Sequence, residues 1–229
     1  MTPAEWSAIA ISLKVGLWVA FLGLVPSVGL GYALARWRFR GKSVIGALAL
    51  LPLVMPPVVT GLVLLSLVGR RAPLGALFAS LGLPLSFSFQ AAVLAALVVG
   101  FPLYVFSCRG AFEAVDPKLI ELSKTLGHPP ARTFWRVTLP LALPGLGAGA
   151  VLAFARGLGE FGATAILAGN REGETRTIAL GVYDLLQVPG GDTMAWRLVA
   201  ASAALALMAL IAWDGLNRWQ RRRLEIDRG

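Results

Sequence analysis

Three polar side chains recur at intervals of four residues within an otherwise apolar stretch, VLAFARGLGEFGATAILAGN. They are Arg156, Glu160 and Thr164, and a helix would place them on one face. Arg156 and Glu160 can pair along that face, which softens a cost of roughly 2.5–3.5 kcal/mol for each charge placed inside a membrane. The stripe predicts one of two arrangements: a structural ion pair that holds helices together, or the lining of a route for a polar solute.

The other titratable residues do not have the spacing of a catalytic or metal-binding site. The chain has one histidine, His128, and one cysteine, Cys108, and it contains no HExxH sequence. A single cysteine excludes an intrachain disulfide and a cysteine cluster for a metal. A phosphate-binding GxxxxGK[ST] loop is also absent from the sequence, so ATP would have to bind elsewhere. We therefore predict no catalytic residue, no metal and no cofactor on this chain.

The elements that position the polar stripe are predicted to be membrane-spanning helices. Of the 229 residues, 57% are hydrophobic and 14% are charged, and the mean hydropathy is +0.73; a soluble domain is far less apolar. Runs of about 20 apolar residues, each long enough to cross a bilayer, recur along the chain. We predict an all-α polytopic membrane protein with a single domain over 1–229. Its five spans are expected near 15–35, 44–68, 91–107, 143–169 and 198–216.

Basic residues are distributed unequally between the two sides of the predicted bundle. Fourteen of the 21 Lys and Arg residues follow spans one, three and five, whereas six lie in the segments on the other side. By the positive-inside rule, the N-terminus is expected outside the cell and the C-terminus in the cytoplasm. We attribute the net charge of +9 to orientation in a lipid bilayer and not to binding of nucleic acid.

Spans two and four carry residues that change how a membrane helix bends or packs. Span two contains LPLVMPPVVTG, in which each proline removes a backbone donor and favours a bend or break; this segment either lines a pore or serves packing alone. Span four has small residues at every fourth position, which let another helix approach closely: Gly145, Gly149, Ala153 and Gly157. The candidate route or gate comprises Arg156, Glu160, Phe161, Gly162, Thr164, Pro56 and Pro57.

The polar segment 113–140 is predicted to form two short helices on the cytoplasmic side. Asp116 is a suitable N-cap, Pro117 fits the first helical position, and Gly127 fits the position just after the last turn. The second helix is expected to start at the Pro-Pro pair 129–130 and to end at Pro140. The first helix has one apolar face, which either lies on lipid or contacts another protein: Leu119, Leu122 and Leu126.

The spacing of this segment resembles the EAA loop in the permease subunits of binding-protein-dependent ABC importers. That loop has the pattern Glu-Ala-Ala, three residues, Gly, nine residues, then Ile-x-Leu-Pro. This chain has Glu-Leu-Ser at 121–123, Gly127, and Val-Thr-Leu-Pro at 137–140. Only the two alanines and the isoleucine are replaced. The resemblance implies a coupling helix that binds a cleft of a cytoplasmic ATPase, through Glu121, Leu122, Ser123, Leu126, Gly127, Val137, Leu139 and Pro140.

Further segments resemble the permease subunits of bacterial molybdate importers. They are the stretch at 151–170, the stretch GETRTIALGVYDLLQVPGG at 173–191, and LPLVMPPVVTGLVLL in span two. The sequence GEFG followed by AGN is shared with sulfate and other oxyanion permeases, whereas GETRTI and the PGG before span five favour molybdate. The resemblance therefore implies an ABC importer permease of type I fold that carries molybdate and also tungstate. The alternative is the permease of a related oxyanion importer, for sulfate and thiosulfate or for tungstate.

The same resemblance implies the partners and the location of the chain. It implies a homodimer in the bacterial inner membrane, two copies of an ATPase subunit that binds ATP and Mg, and a periplasmic molybdate-binding protein. A transporter driven by an ion gradient is the alternative, but such proteins are usually longer and show internal repeats. No repeat is visible in this sequence, so the importer is the favoured interpretation.

Overall fold

The computed structural model describes residues 1–226, and for residue 216 and residues 219–226 it describes the backbone alone. Arg228, one of the basic residues predicted to mark the cytoplasmic C-terminus, lies outside the described residues. Within the described part of the chain, all regular structure is helical and no strand is present. The predicted all-α class is therefore confirmed.

Four helical stretches are long and apolar enough to cross a membrane, and they contain or overlap predicted spans one, three, four and five. The stretches are Pro3–Arg36, Phe89–Glu113, Pro130–Leu158 and Asp192–Gly215. We call the first two α1 and α5, and the last belongs to α11, which runs over Asp192–Ile226. Thr2 caps α1 through its side chain, which accepts a hydrogen bond from the backbone N–H of Glu5.

Predicted span two consists of two helices that meet at a sharp bend. Helix α2 covers Lys42–Val54 and α3 covers Pro57–Val68, with an angle of 114° between them. The bend falls where Pro56 and Pro57 offer no backbone N–H to continue the helix. Counting this bent pair as one span gives five spans, and leaving it out gives four.

The sequence predicted that the second helix of the segment 113–140 ends at Pro140. In the structure this helix continues into predicted span four. Helix α7 (Pro130–Thr133) passes into a π-helical turn over Phe134–Thr138, and α8 follows over Leu139–Leu158. In the π turn the Leu139 N–H bonds to the Phe134 carbonyl. This wider turn lies immediately before the proline, where an α-helix would suffer a steric clash and lose a donor. Pro140 therefore lies in the first turn of α8 and does not stop the preceding helix.

Predicted span four is interrupted before its end, which corrects the expectation of one helix over 143–169. Helix α8 ends at Leu158, residues 159–161 are non-helical, and the short helix α9 covers Gly162–Leu167. Glycine lowers helix stability by about 1 kcal/mol relative to alanine. Three glycines fall in this short region, at 157, 159 and 162, so the break has a local cause.

The core lies where α1, α5 and α8 pack together. Small residues allow close contact: a methyl group built at Gly149 would lie 2.8 Å from the Tyr104 ring, and one at Gly31 would lie 2.6 Å from the Cys108 Cβ. Tyr104 and Cys108 are fully buried. The predicted small-residue row of span four thus faces other helices of the same chain.

The two ends of the bundle are held by different polar contacts. At one end, Arg36 Nη2 donates to the carbonyl oxygens of Phe112 and Val115, at 2.6 and 2.7 Å. At the other end, the N–H of Ile178, the first residue of α10 (Ile178–Leu186), donates to Ser12 Oγ at 2.7 Å. The segment 113–140 therefore lies beside the C-terminal end of α1, opposite the segment 169–191.

Candidate functional site

The break after α8 contains the ion pair that the sequence predicted. Arg156 Nη1 lies 2.8 Å from Glu160 Oε2, although the two groups do not have the alignment of a hydrogen bond. The other carboxylate oxygen, Oε1, accepts a hydrogen bond from the Ala163 N–H at 2.8 Å. Glu160 therefore pairs with the last turn of α8 and satisfies a donor in the first turn of α9.

The two charges of this pair have different surroundings. Glu160 is 1% exposed, whereas 26% of the Arg156 side chain is accessible. Burying a carboxylate is costly unless a cation and hydrogen bonds stabilise it, and here both are present. Arg156 is therefore the more accessible member of the pair.

The remaining candidate residues of the route lie around the same break. Thr164 is 1% exposed, and its hydroxyl has no hydrogen-bond partner among the described residues. A methyl group built at Gly162 would lie 3.0 Å from the Pro57 Cβ, so the N-terminal ends of α3 and α9 are in close contact. Pro56 precedes α3, which places the bend of span two beside the break of span four. The structure thus places the proline bend of span two next to the glycine-rich break of span four.

Phe161 is half-buried and contacts a residue outside the predicted set. Its ring centroid lies 5.0 Å from that of Tyr183 in α10. Arg156, Glu160 and Thr164 do not share one continuous helix, because the backbone at Phe161 leaves the helical conformation. The predicted stripe is therefore a pair at the end of α8 and a threonine on the next helix.

The predicted coupling helix is α6, which covers Pro117–Thr125 and has the caps that the sequence predicted. Asp116 Oδ1 accepts a hydrogen bond from the Lys118 N–H at 2.9 Å. After the helix, Gly127 has φ +77°, in the left-handed region that glycine adopts without strain. The His128 N–H bonds to the Ser123 carbonyl and the Gly127 N–H to the Lys124 carbonyl, which is a Schellman motif.

The apolar face of α6 is exposed, as a surface that binds a partner requires. Leu119, Leu122 and Leu126 are 42%, 57% and 68% exposed. Glu121 is also exposed and lines a cavity of about 360 Å³ together with Arg36 and Lys124. Exposed apolar patches, where they are large, mark sites of contact with proteins or membranes.

The other residues of the predicted coupling set do not share that surface. Ser123 is 4% exposed and faces α7. Val137 and Leu139 are half-buried, and Leu139 packs against the core, whereas Pro140 is exposed. Glu121, Leu122, Leu126 and Gly127 are all exposed, with Glu121 on the cavity side of α6, whereas the rest of the set lies at the base of the segment.

Sequence reasoning missed two groups of polar residues. The first is the contact of Ser123 with Thr133 and His128 beneath α6. The second joins the ends of the segment 169–191: Arg176 contacts Asp184 at 3.0 Å and Glu172 at 3.1 Å, and Asn170 donates to Asp184 at 2.8 Å. The sequence signal for the second group was the Gly-Glu-Thr-Arg-Thr-Ile stretch, whose charges were not paired with a residue further along the chain.

The described residues thus form an interrupted membrane bundle with an exposed apolar helix on a capped loop. The family described as "binding-protein-dependent transport system inner membrane component" matches residues 27–226. The chain belongs to this family, and it is a multi-pass membrane protein of that class.

Relatives that carry a more specific description match nearly the whole chain. The molybdenum transport system permease protein ModB of Escherichia coli (strain K12) is 45% identical over 224 residues, covering 97% of this chain and 98% of that protein. The protein of the same description from Haemophilus influenzae is 42% identical, covering 96% of each.

Solved structures show the fold. A chain of the inward-facing MetNI methionine ABC transporter superposes with a TM-score of 0.72 at 18% identity, covering 96% of this chain and 99% of that one. A chain of a bacterial ABC transporter for alginate import gives 0.70 at 16% identity, covering 97% and 80%. The fold is that of a type I ABC importer permease, as the sequence predicted.

Proposed function

We propose that this chain is the membrane subunit of an importer that carries molybdate across the bacterial inner membrane. The observation that carries the proposal is the 45% identity to a molybdenum transport permease over 97% of this chain. The resemblance of the GETRTI stretch adds to it, and Arg176 of this stretch pairs with Glu172 and Asp184. Tungstate has the same charge and tetrahedral shape and would be carried by the same route.

The transport cycle needs partners that supply energy and solute. We propose a homodimer of this chain with two cytoplasmic ATPase subunits, which bind ATP and Mg, and with a periplasmic molybdate-binding protein. The exposed leucines of α6 are the proposed contact with the ATPase, because their burial would remove apolar surface from water. The chain itself contributes a path and a docking surface, with no catalytic group and no bound cofactor.

The proposed orientation has the N-terminus in the periplasm and the C-terminus in the cytoplasm. Two observations support it. Basic residues are concentrated after spans one, three and five, which is the cytoplasmic bias of membrane proteins. In addition, α6 lies at the same end of the bundle as Arg36, which agrees with one cytoplasmic face that carries both.

The proposed route passes the break between α8 and α9. A break in a membrane helix exposes backbone groups and is tolerated where it lines a cavity or is buried in protein. Arg156 offers a partly accessible positive charge there, and Glu160 limits its strength by pairing with it. Moderate attraction suits a path, since an anion that is bound too tightly would not be released.

The experiment is uptake of labelled molybdate into vesicles that contain the complete complex. ATP is supplied on the side of the membrane that carries the ATPase subunits. We expect uptake that depends on ATP. Unlabelled tungstate should inhibit it by competition, and sulfate should inhibit it less. An ATPase subunit altered in its phosphate-binding lysine is the control for energy coupling. Uptake that follows an ion gradient without ATP would overturn the proposal. Stronger competition by sulfate than by tungstate would instead identify sulfate as the solute.

A further inference from the structure

Two buried hydroxyl groups join α6 to the helix that follows it. Ser123 Oγ lies 2.9 Å from Thr133 Oγ1, and these residues are 4% and 3% exposed. Ser123 Oγ also lies 3.3 Å from the Nδ1 atom of His128. Most of their neighbours in the segment 116–136 are exposed, so this contact is a small polar core beneath the coupling helix.

Thr133 Oγ1 has Ser123 as its hydrogen-bond partner, and Ser123 Oγ contacts both Thr133 and His128. A buried polar group without a partner costs roughly 1–3 kcal/mol, so separating Ser123 from Thr133 is unfavourable. Helix α6 packs against α7 and the π-helical turn. Among the described residues, this pair is the side-chain hydrogen bond that joins α6 directly to α7.

Thr133 belongs to a helical rod that reaches the candidate gate. The chain is helical without a gap from Pro130 to Leu158, and the Arg156–Glu160 pair marks its far end. At about 1.5 Å per residue such a rod is roughly 40 Å long. This unbroken helical path joins Thr133 to residues 159–161, with the π-helical turn at Phe134–Thr138 between them.

We propose that the Ser123–Thr133 contact is the positioning contact that transmits movement of α6 to the break after α8. Ser123 and Thr133 set the angle between α6 and the rod, and neither touches the ATPase or the solute. This inference rests on the proposed function, because it requires that an ATPase moves α6. It separates two roles within the segment: the leucine face binds the partner, and the hydroxyl pair transmits its motion.

The test uses Ser123→Ala, Thr133→Val and the double variant in the complete complex. The first readout is the amount of molybdate taken up per ATP hydrolysed, which we expect to fall about three- to tenfold in each single variant because one buried hydrogen bond is lost. The double variant should be no worse than the poorer single variant, since both remove the same contact. ATPase recovery in a pull-down should stay at the wild-type level, because the leucine face is unchanged.

The second readout does not depend on which solute is carried. A Gly159→Cys substitution places a thiol at the break, where the glycine is exposed and has room for a side chain. Cys108, the natural cysteine, is fully buried and gives a low background. We expect ATP to change the rate of maleimide labelling at position 159, and Ser123→Ala to reduce that change.

Two further variants control for the loss of a hydroxyl in general and for the size of the side chain. Thr125→Val removes an exposed hydroxyl of the same helix, which donates to the Leu122 carbonyl, and should leave both readouts unchanged. Thr133→Ser keeps the hydroxyl and should give wild-type values for uptake per ATP and for the labelling change.

The inference is overturned if Ser123→Ala and Thr133→Val keep wild-type uptake per ATP and the wild-type labelling change. It is also overturned if the two effects add in the double variant, or if the variants simply lose the ATPase. If the wild-type complex takes up no molybdate but shows the ATP-dependent labelling change, and Ser123→Ala reduces that change, the proposed solute is overturned. The role of the contact is then still supported.

Discussion

Glu160 holds Arg156 at 2.8 Å across a break in the helix and, through its second oxygen, binds the first turn of the next helix. One carboxylate thus stabilises a cation and satisfies a backbone donor where the chain leaves α8 and enters α9. The carboxylate is buried. Its two roles belong to different oxygen atoms, so the charge can be removed by a substitution that keeps the acceptor.

Substituting Glu160→Gln should impair uptake more than it impairs insertion into the membrane. Gln retains an oxygen for the Ala163 N–H but leaves Arg156 without a counter-charge. Breaking a fully buried ion pair costs about 3–5 kcal/mol, and we expect less here because Arg156 is 26% accessible. The measurement is ATP-dependent molybdate uptake, normalised to the amount of complex in the membrane.

The matched control for this substitution is Glu113→Gln. Glu113 pairs with Arg109 at the same distance of 2.8 Å and with the same spacing, but both side chains are more than two-fifths exposed. Exposed pairs contribute about 0–1 kcal/mol, so uptake should remain normal. Wild-type uptake by Glu160→Gln, or an equal defect in Glu113→Gln, would contradict a special role for the buried pair.

Substituting Leu122→Asp should weaken binding of the ATPase without unfolding the membrane helices. Leu122 is 57% exposed, so the substitution removes no core contact, whereas burial of a leucine in an interface is worth about 1.5–3 kcal/mol. We expect recovery of the ATPase in a pull-down to fall about tenfold or more. Leu122→Met is the control, because it keeps an apolar side chain and should bind normally; equal recovery with Asp would exclude this face as the docking surface.

Gly127→Ala should loosen the end of α6 through backbone strain alone. The glycine has φ +77° and no atom within 4 Å of a built Cβ, so the cost of about 1 kcal/mol comes from the left-handed conformation. Gly127→Pro should have a larger effect, because the Gly127 N–H bonds to Lys124 and proline cannot adopt this φ. The measurement is ATPase recovery and uptake per ATP hydrolysed.

The control for that series is Gly110→Ala. A Cβ at Gly110 also meets nothing within 4 Å, but the residue is helical and has no positive φ. Alanine should therefore be neutral or stabilising there. An equal loss in both variants would indicate a general effect of glycine replacement and not strain at the end of α6.

Gly31→Ala should separate α1 from α5 and expose the thiol of Cys108. The added methyl group would lie 2.6 Å from the Cys108 Cβ and 2.9 Å from the Arg109 backbone nitrogen, too close for either to remain in place. We expect faster reaction with a maleimide and a lower melting temperature. Gly29→Ala, two residues away with open space around its Cβ, should keep Cys108 protected, and equal labelling in both variants would contradict this packing.

The predictions that succeeded from sequence rest on local chemistry. The caps at Asp116 and Gly127 follow from the turn preferences of these residues, and the structure contains both. The pairing of Arg156 with Glu160 follows from a spacing of four residues. The all-α membrane class follows from the length and composition of the apolar runs.

The predictions that failed concern where helices continue. Proline at position 140 was expected to end a helix, but a π-helical turn before it accommodates the ring and the missing donor. Span four was expected to be continuous, but it breaks at 159–161, where α9 instead packs its first residue against Pro57. Local propensity leaves both outcomes open, because contacts from another helix add more energy than the propensity of one residue.

The class of the protein, its family and the apolar face of α6 could be predicted from the sequence, since apolar runs, caps and motif spacing are properties of segments of the chain. Three relationships appear first in the folded structure: Ser123 faces Thr133, the proline bend of span two meets the glycine-rich break of span four, and Glu160 contacts two helices. These relationships join residues whose helices must first pack together. The energies that choose between such arrangements come from burial and close contact, which no short segment contains.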